Sequence, residues 1–187
     1  MCRGTVGIVF QDPDDQVLAP SVEEDVAFGP INMGGLSREE VKMRVKEALE
    51  MVGLNGFEER APHHLSGGQK KLVAIAGILA MRPEVIVLDE PTAGLDPLSS
   101  ARVLKLITKM NRELGGITLL LSTHDVDVVP YFAERVFVLH HGKLEASGSP
   151  EEIFNDPALL RKAHLRLPRV AEVFEMLKQE ALTLIYR

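Results

Sequence analysis

The run Val85-Ile86-Val87-Leu88 ends in two adjacent carboxylates, Asp89 and Glu90. Consecutive apolar residues with no polar alternation fit a strand covered on both faces, the pattern of a parallel sheet with helices on either side. Ile117 to Ser122 repeats the pattern, and Val6 to Phe10 is a third such run. Helical stretches separate them. Ser37-Arg38-Glu39-Glu40 is a capping box that opens a helix with Val41, Val45, Leu49 and Val52 on one face, closed by Gly53. Gly67 to Met81 reads as a helix stopped by Arg82-Pro83. Pro97 to Leu114 reads as another, ended by Gly115-Gly116. Asp125 is expected to cap a short helix to Phe132, and Val136 to Leu139 is expected to form a strand before a turn at His141-Gly142. Ser149-Pro150-Glu151-Glu152 opens the helices of the C-terminal part. Strands alternating with helices give an α/β fold with a mostly parallel sheet.

Bulk properties narrow the function classes. An apolar share of 45% argues against disorder. A net charge of −6 disfavours nucleic acid as the main partner, because neutralising phosphates takes clustered Lys and Arg. Cys2 is the single cysteine, so no internal disulfide can form. The longest nearly apolar run, Leu72 to Met81, is too short for a bilayer, which takes ~20 residues.

Two places carry chemistry. Leu65-Ser66-Gly67-Gly68-Gln69 precedes a helix, where partial positive charge, open N–H groups and small residues suit an anion; a Ser cap with a flexible turn fits the same residues. Asp89 and Glu90 end an apolar strand, where open α/β sheets bind ligands. Asp89 suits Mg²⁺ through water and Glu90 suits a general base; a solvated pair at a strand end is the plainer alternative. His124 follows the next strand in the same topological position, although a lone histidine is more often structural.

These pieces, in this order, resemble the ABC-transporter ATPases over essentially the whole chain. The matching motifs are the Q-loop at Gln11 after Val6-Gly7-Ile8-Val9-Phe10 and the signature Leu65-Ser66-Gly67-Gly68-Gln69. They continue with Walker B at 85–90, the D-loop Gly94-Leu95-Asp96-Pro97 and the switch histidine in Ser122-Thr123-His124-Asp125. Residues 21–30 and 165–177 are similar to the ATPase subunits of energy-coupling-factor and cobalt/nickel importers. The resemblance implies a P-loop NTPase-like parallel core over 1–13 and 83–150, with a helical subdomain inserted at 14–82 and a C-terminal helical extension at 151–187. It implies ATP and Mg²⁺ as ligands: Ser66, Gly67, Gly68 and Gln69 on the γ-phosphate of ATP held by a second ATPase subunit, Asp89 and Gln11 on Mg²⁺ and water, Glu90 as general base, His124 bracing the γ-phosphate, and Asp96 in contact across the dimer. It further implies docking of the 12–63 region on a transmembrane coupling subunit, and hence a peripheral place on the cytoplasmic face of the membrane, powering uptake of cobalt, nickel or a vitamin.

One departure stands out. No G-x-x-x-x-G-K-[ST] run occurs in the 187 residues, and the only Gly-Lys step, Gly142-Lys143, is followed by Leu144. The core is therefore expected to lack the P-loop strand, which in the family lies between the strand at 117–122 and the one at 136–139. An exposed apolar edge and face, weak ATP binding and self-association are expected to follow. Either an N-terminal third precedes these residues, or the chain is a catalytically incomplete partner that donates its signature to an intact subunit. Chromosome-maintenance and DNA-repair ATPases fit less well, since only Lys70 to Glu84 separates the signature from Walker B.

Overall fold

A computed structural model describes residues 6–113, 115–173 and 176–177. Cys2, the end of the expected Pro97–Leu114 helix and the last part of the C-terminal extension lie outside the described residues. The chain forms two compact units, Met1–Thr123 and His124–Arg187, a boundary that falls inside the expected 83–150 segment.

The first unit holds a three-stranded parallel sheet in the order β1 (Val6–Val9), β2 (Val85–Asp89), β3 (Thr118–Ser122). Register pairs Ile8 with Val87 and Val87 with Leu120. The uniformly apolar runs suggested two covered faces, but burial alternates. Gly7 and Val9 are buried on one side, while Val6 and Ile8 are 40% and 46% exposed on the other, as is Leu120 at 50%. One face meets helix; a Cβ on Gly7 would collide with Ile78. The other face carries the exposed apolar surface expected where a neighbouring layer is not supplied by these residues.

Among the described residues this unit also carries four α-helices, α1 (Val22–Met33), α2 (Arg38–Val52), α3 (Gly67–Ala80) and α4 (Pro97–Glu113), with short 3-10 turns at Pro13–Asp15 and Pro62–His64. The helix at 22–33 was not read from the sequence, although Ser21-Val22-Glu23-Glu24 carries the start signal; the Ser21 side chain accepts from the Glu24 N–H. Pro30 lies inside it, which discourages a helix reading. α2 has the expected capping box at Ser37 and Glu40, and Gly53 closes it in a left-handed conformation, φ 72°. α3 is the most buried helix: Val73, Ile75 and Ala76 are fully enclosed. α4 buries Val103, Leu106, Ile107 and Met110 along one stripe.

The second unit contains α5 (Val129–Phe132), β4 (Val136–His140), β5 (Lys143–Gly148), α6 (Pro150–Phe154) and α7 (Pro157–Lys162). β4 and β5 form an antiparallel hairpin. Its two central residues, His141 (φ 47°) and Gly142 (φ 73°), are both left-handed, the geometry that matches strand twist in a two-residue turn. The return strand β5, read from the sequence only as a turn leading to Leu144, is held by this hairpin. The helix expected from Asp125 begins later, at Val129, because the Asp125 carboxylate accepts from the Asp127 N–H and closes a local turn instead. Val126, Val138, Ile153, Phe154 and Leu160 make the core of this unit. Arg166 grips Asp127 with both guanidinium nitrogens, at 3.2 and 2.6 Å, and the Arg169 N–H donates to the same carboxylate at 2.7 Å. No helix among the described residues is long and apolar enough to cross a membrane.

Candidate functional site

Parallel pairing brings the C-terminal ends of β1, β2 and β3 to one edge of the sheet, which is where Gln11, Asp89 and Ser122 emerge. Asp89 and Ser122 are the last registered pair of β2 and β3. The Ser122 hydroxyl donates to Asp89 Oδ1. That bond fixes one carboxylate oxygen of an otherwise exposed side chain. Glu90 follows in a left-handed conformation, φ 41°, which costs energy for a residue with a Cβ. Its N–H donates to the Ser122 carbonyl at 3.1 Å, and Thr123 Oγ1 lies 3.4 Å from Glu90 Oε2. Strain of this kind concentrates where a side chain must be aimed.

Beyond Glu90 the chain turns tightly. The Ala93 N–H donates to the Glu90 carbonyl, and Gly94 takes φ 71°. Asp96 then caps α4: Oδ1 accepts from the N–H groups of Leu98 (2.9 Å) and Ser99 (3.0 Å), and Oδ2 accepts from the Ser99 hydroxyl at 2.6 Å. These bonds, the Ser99 side chain first among them, hold the Asp96 carboxyl below its ordinary pKa.

The start of α3 is a complete capping box. Ser66 Oγ accepts from the Gln69 N–H at 3.3 Å, and Gln69 Oε1 accepts from the Ser66 N–H at 3.0 Å. Each of the two side chains suspected of binding a phosphate is thus engaged by the other residue's backbone N–H, and Ser66 and Gly67 are exposed. Gly68 is buried: a Cβ there would sit 2.6 Å from Ser99 Cβ. Its smallness lets the α3 start lie against the α4 start, which links Ser66–Gln69 to Asp96 within one chain.

The described contacts bring Asp89 and Glu90 together at Ser122 and Thr123, and set Ser66–Gln69 against the α4 start that Asp96 caps; His124 is exposed and begins the second unit. Sequence reading missed Ser99, whose hydroxyl serves the cap, and Gln16. The Gln16 amide brackets β1, accepting from the Phe10 N–H and donating to the Ile8 carbonyl, both at 3.1 Å. It missed Lys71 as well, a charged residue at the head of an apolar run, fully buried in α3. Among the described residues no cluster of three or more His, Cys, Asp or Glu side chains could hold a metal ion. Mg²⁺ makes a lesser demand, commonly one or two carboxylates with phosphate oxygens and water. The exposed hard oxygens of Asp89 and Gln11 fit that chemistry.

Known proteins share this sequence and this fold. The family model described as ABC transporter matches residues 1–93. A putative ABC transporter ATP-binding protein of Methanosarcina mazei is 99% identical over 180 residues, which are 96% of this chain and 54% of the relative. The energy-coupling factor transporter ATP-binding protein EcfA of Methanocaldococcus jannaschii is 60% identical over 178 residues, 95% of this chain and 63% of the relative. The chain thus spans about half the length of the Methanosarcina relatives it matches. Among solved structures, cbiO1 from Clostridium perfringens, described as part of the ABC transporter complex cbiONQ, superposes with a TM-score of 0.76 at 47% identity, covering 92% of this chain and 68% of that one. An ATP-binding cassette solved as a post-hydrolysis dimer bound to ADP and Pi gives 0.65 at 35% identity, covering 79% and 64%.

Proposed function

The chain belongs to the ABC transporter ATP-binding family, and from that premise we propose that it is the ATP-hydrolysing subunit of an energy-coupling importer. The observation that carries this reading is the Asp89–Glu90 pair at the C-terminal edge of the parallel sheet, one carboxylate pinned by Ser122 and the other aimed by a strained backbone. Mg²⁺ with the triphosphate supplies charge neutralisation when bound. Asp89 and Gln11 would hold the metal side. Glu90 would orient and deprotonate a water, a task typically worth ~10²–10⁴ in rate. His124 would brace the terminal phosphate. Ser66, Gly67, Gly68 and Gln69 would open their capping box toward nucleotide on a second ATPase subunit, an exchange that the exposed N-terminus of α3 favours. Asp96, already fixed at the α4 start beside Gly68, would carry contact across that dimer.

The membrane partner in this reading is a transmembrane coupling subunit docked on the 12–63 region, which would place the chain peripherally on the cytoplasmic face. An open hollow of about 690 Å³ between β1, α1 and α3, with Phe28 and Met33 at its surface, supports such a contact. Cobalt, nickel or a vitamin is the proposed cargo, on the resemblance of residues 21–30 and 165–177 to importers of that kind.

A second reading rests on α3: its capped start forms within these residues, so the chain could donate Ser66–Gln69 to an intact ATPase as a catalytically incomplete partner. Joining a segment that carries G-x-x-x-x-G-K-[ST] in cis ahead of the chain, and assaying it with a homologous intact subunit, separates the two. Hydrolysis lowered by both Ser66→Arg and Glu90→Gln supports the ATPase reading. Loss with Ser66→Arg alone supports the donor reading. Indifference to both substitutions overturns each of them.

A further inference from the structure

We propose that Lys71 is a positioning residue: its buried ammonium fixes the Phe10–Gln11 turn to the helix that begins at Ser66, so that one side chain sets Gln11 relative to the Ser66–Gln69 segment. Lys71 is the one buried polar or charged side chain among the described residues, with no exposed surface at all. Its Nζ donates to the Phe10 carbonyl at 3.0 Å and to the Gln11 carbonyl at 2.6 Å. These bonds reach sixty residues along the chain, from the first turns of α3 to the end of β1. Burying an ammonium is costly unless its donors are satisfied. Burial pushes the Lys71 pKa below its ordinary value, while Asp12 and Asp89 act in the opposite direction.

An apolar side chain of similar length would fill the same space without desolvation cost, so packing does not account for an ammonium here. What the charge adds is direction: two carbonyls on successive residues must point at one nitrogen, and that fixes the peptide plane from which the Gln11 side chain leaves. The neighbouring Lys70–Asp14 pair, at 2.5 Å, also joins α3 to the loop after β1, but its carboxylate is largely exposed. Solvent around the Asp14 carboxylate screens that pair, and Lys70, mostly shielded itself, serves as the comparison variant.

This inference rests on the functional reading only where Gln11 is given a role, and the test has one arm free of nucleotide. In hydrogen exchange on the full chain, Lys71→Met should raise exchange several-fold at Asp14 to Val17, whose N–H groups are held by the turn at 12–16, and leave α2 unchanged. Lys70→Met should leave that loop near wild type. Unchanged loop exchange in Lys71→Met overturns the proposal. The second arm uses the chain joined in cis behind a segment that carries G-x-x-x-x-G-K-[ST], so that Gln11 serves a nucleotide held on its own side. There Lys71→Met should lower kcat by about 10²-fold, the scale of a 1 Å misplacement, with KM for ATP within about twofold. The same substitution should add nothing in a Gln11→Ala background. A full additional loss in that background would show that Lys71 does not act through Gln11 and would overturn the proposal. If the joined wild-type chain does not hydrolyse ATP, the functional reading fails, and the exchange arm still decides the tether.

Discussion

The Ser122 hydroxyl donates to the Asp89 carboxylate across the last registered pair of β2 and β3. The bond ties two segments 33 residues apart in sequence. Ser122→Ala should lower unfolding free energy by about 0.5–1.5 kcal/mol, read as a shift in urea midpoint at constant slope. Thr in place of Ser122 keeps the hydroxyl and should recover most of that loss.

Gly68 owes its identity to Ser99. Gly68→Ala places a Cβ 2.6 Å from Ser99 Cβ, an overlap expected to cost about 1–3 kcal/mol. Thermal unfolding should show Ser99→Gly partly rescuing Gly68→Ala, although that change alone removes a hydroxyl from the Asp96 cap. Additive losses in the double variant would mean that the two positions do not touch.

Ile8, aligned with Val87 and Leu120, leaves an apolar face open. The chain should therefore bind a hydrophobic dye and scatter light at micromolar concentration. Ile8→Lys with Leu120→Lys should lessen both signals and leave far-UV circular dichroism unchanged. By contrast, Ile86 points to the covered face with no exposure, and Ile86→Ala should cost about 2–5 kcal/mol.

Acid should unfold the chain through its capping carboxylates. Ser37 holds Glu40 and Ser149 holds Glu152 below the ordinary value of 4.5, and Arg166 holds Asp127 below 3.8. A carboxyl whose folded pKa is depressed contributes stability that is complete above its unfolded pKa and is lost as pH falls through the folded one. Stability should thus be flat above about pH 5 and decline progressively below 4.5. Asp127→Asn should make that decline shallower in equilibrium denaturation at stepped pH.

Much of this site was legible in one dimension because its signals are local. Ser37, Ser66 and Ser149 each stand three residues before a Glu or Gln, and each forms the reciprocal cap that spacing specifies. Asp89 and Glu90 end an apolar run, and a strand end is where the sheet delivers them. The helix over 22–33 escaped because Pro30 argues against it locally, while burial of Val22, Val26 and Ala27 stabilises it from outside.

The sequence alone thus determined the α/β class, most of the strands and helices though neither α1 nor β5, the capped start of α3 and the residue types at the edge of the sheet, since these depend on periodicity and on contacts within a few residues. Tertiary structure decided the rest. Which face of the apolar strands is open depends on the layers packed against them, and apolar composition is the same for either face. The strain at Glu90, the Gly68–Ser99 contact and the burial of Lys71 beneath Phe10 and Gln11 join segments between 31 and 61 residues apart. Pairings over such distances leave no periodic trace in the chain, and only close packing brings them together.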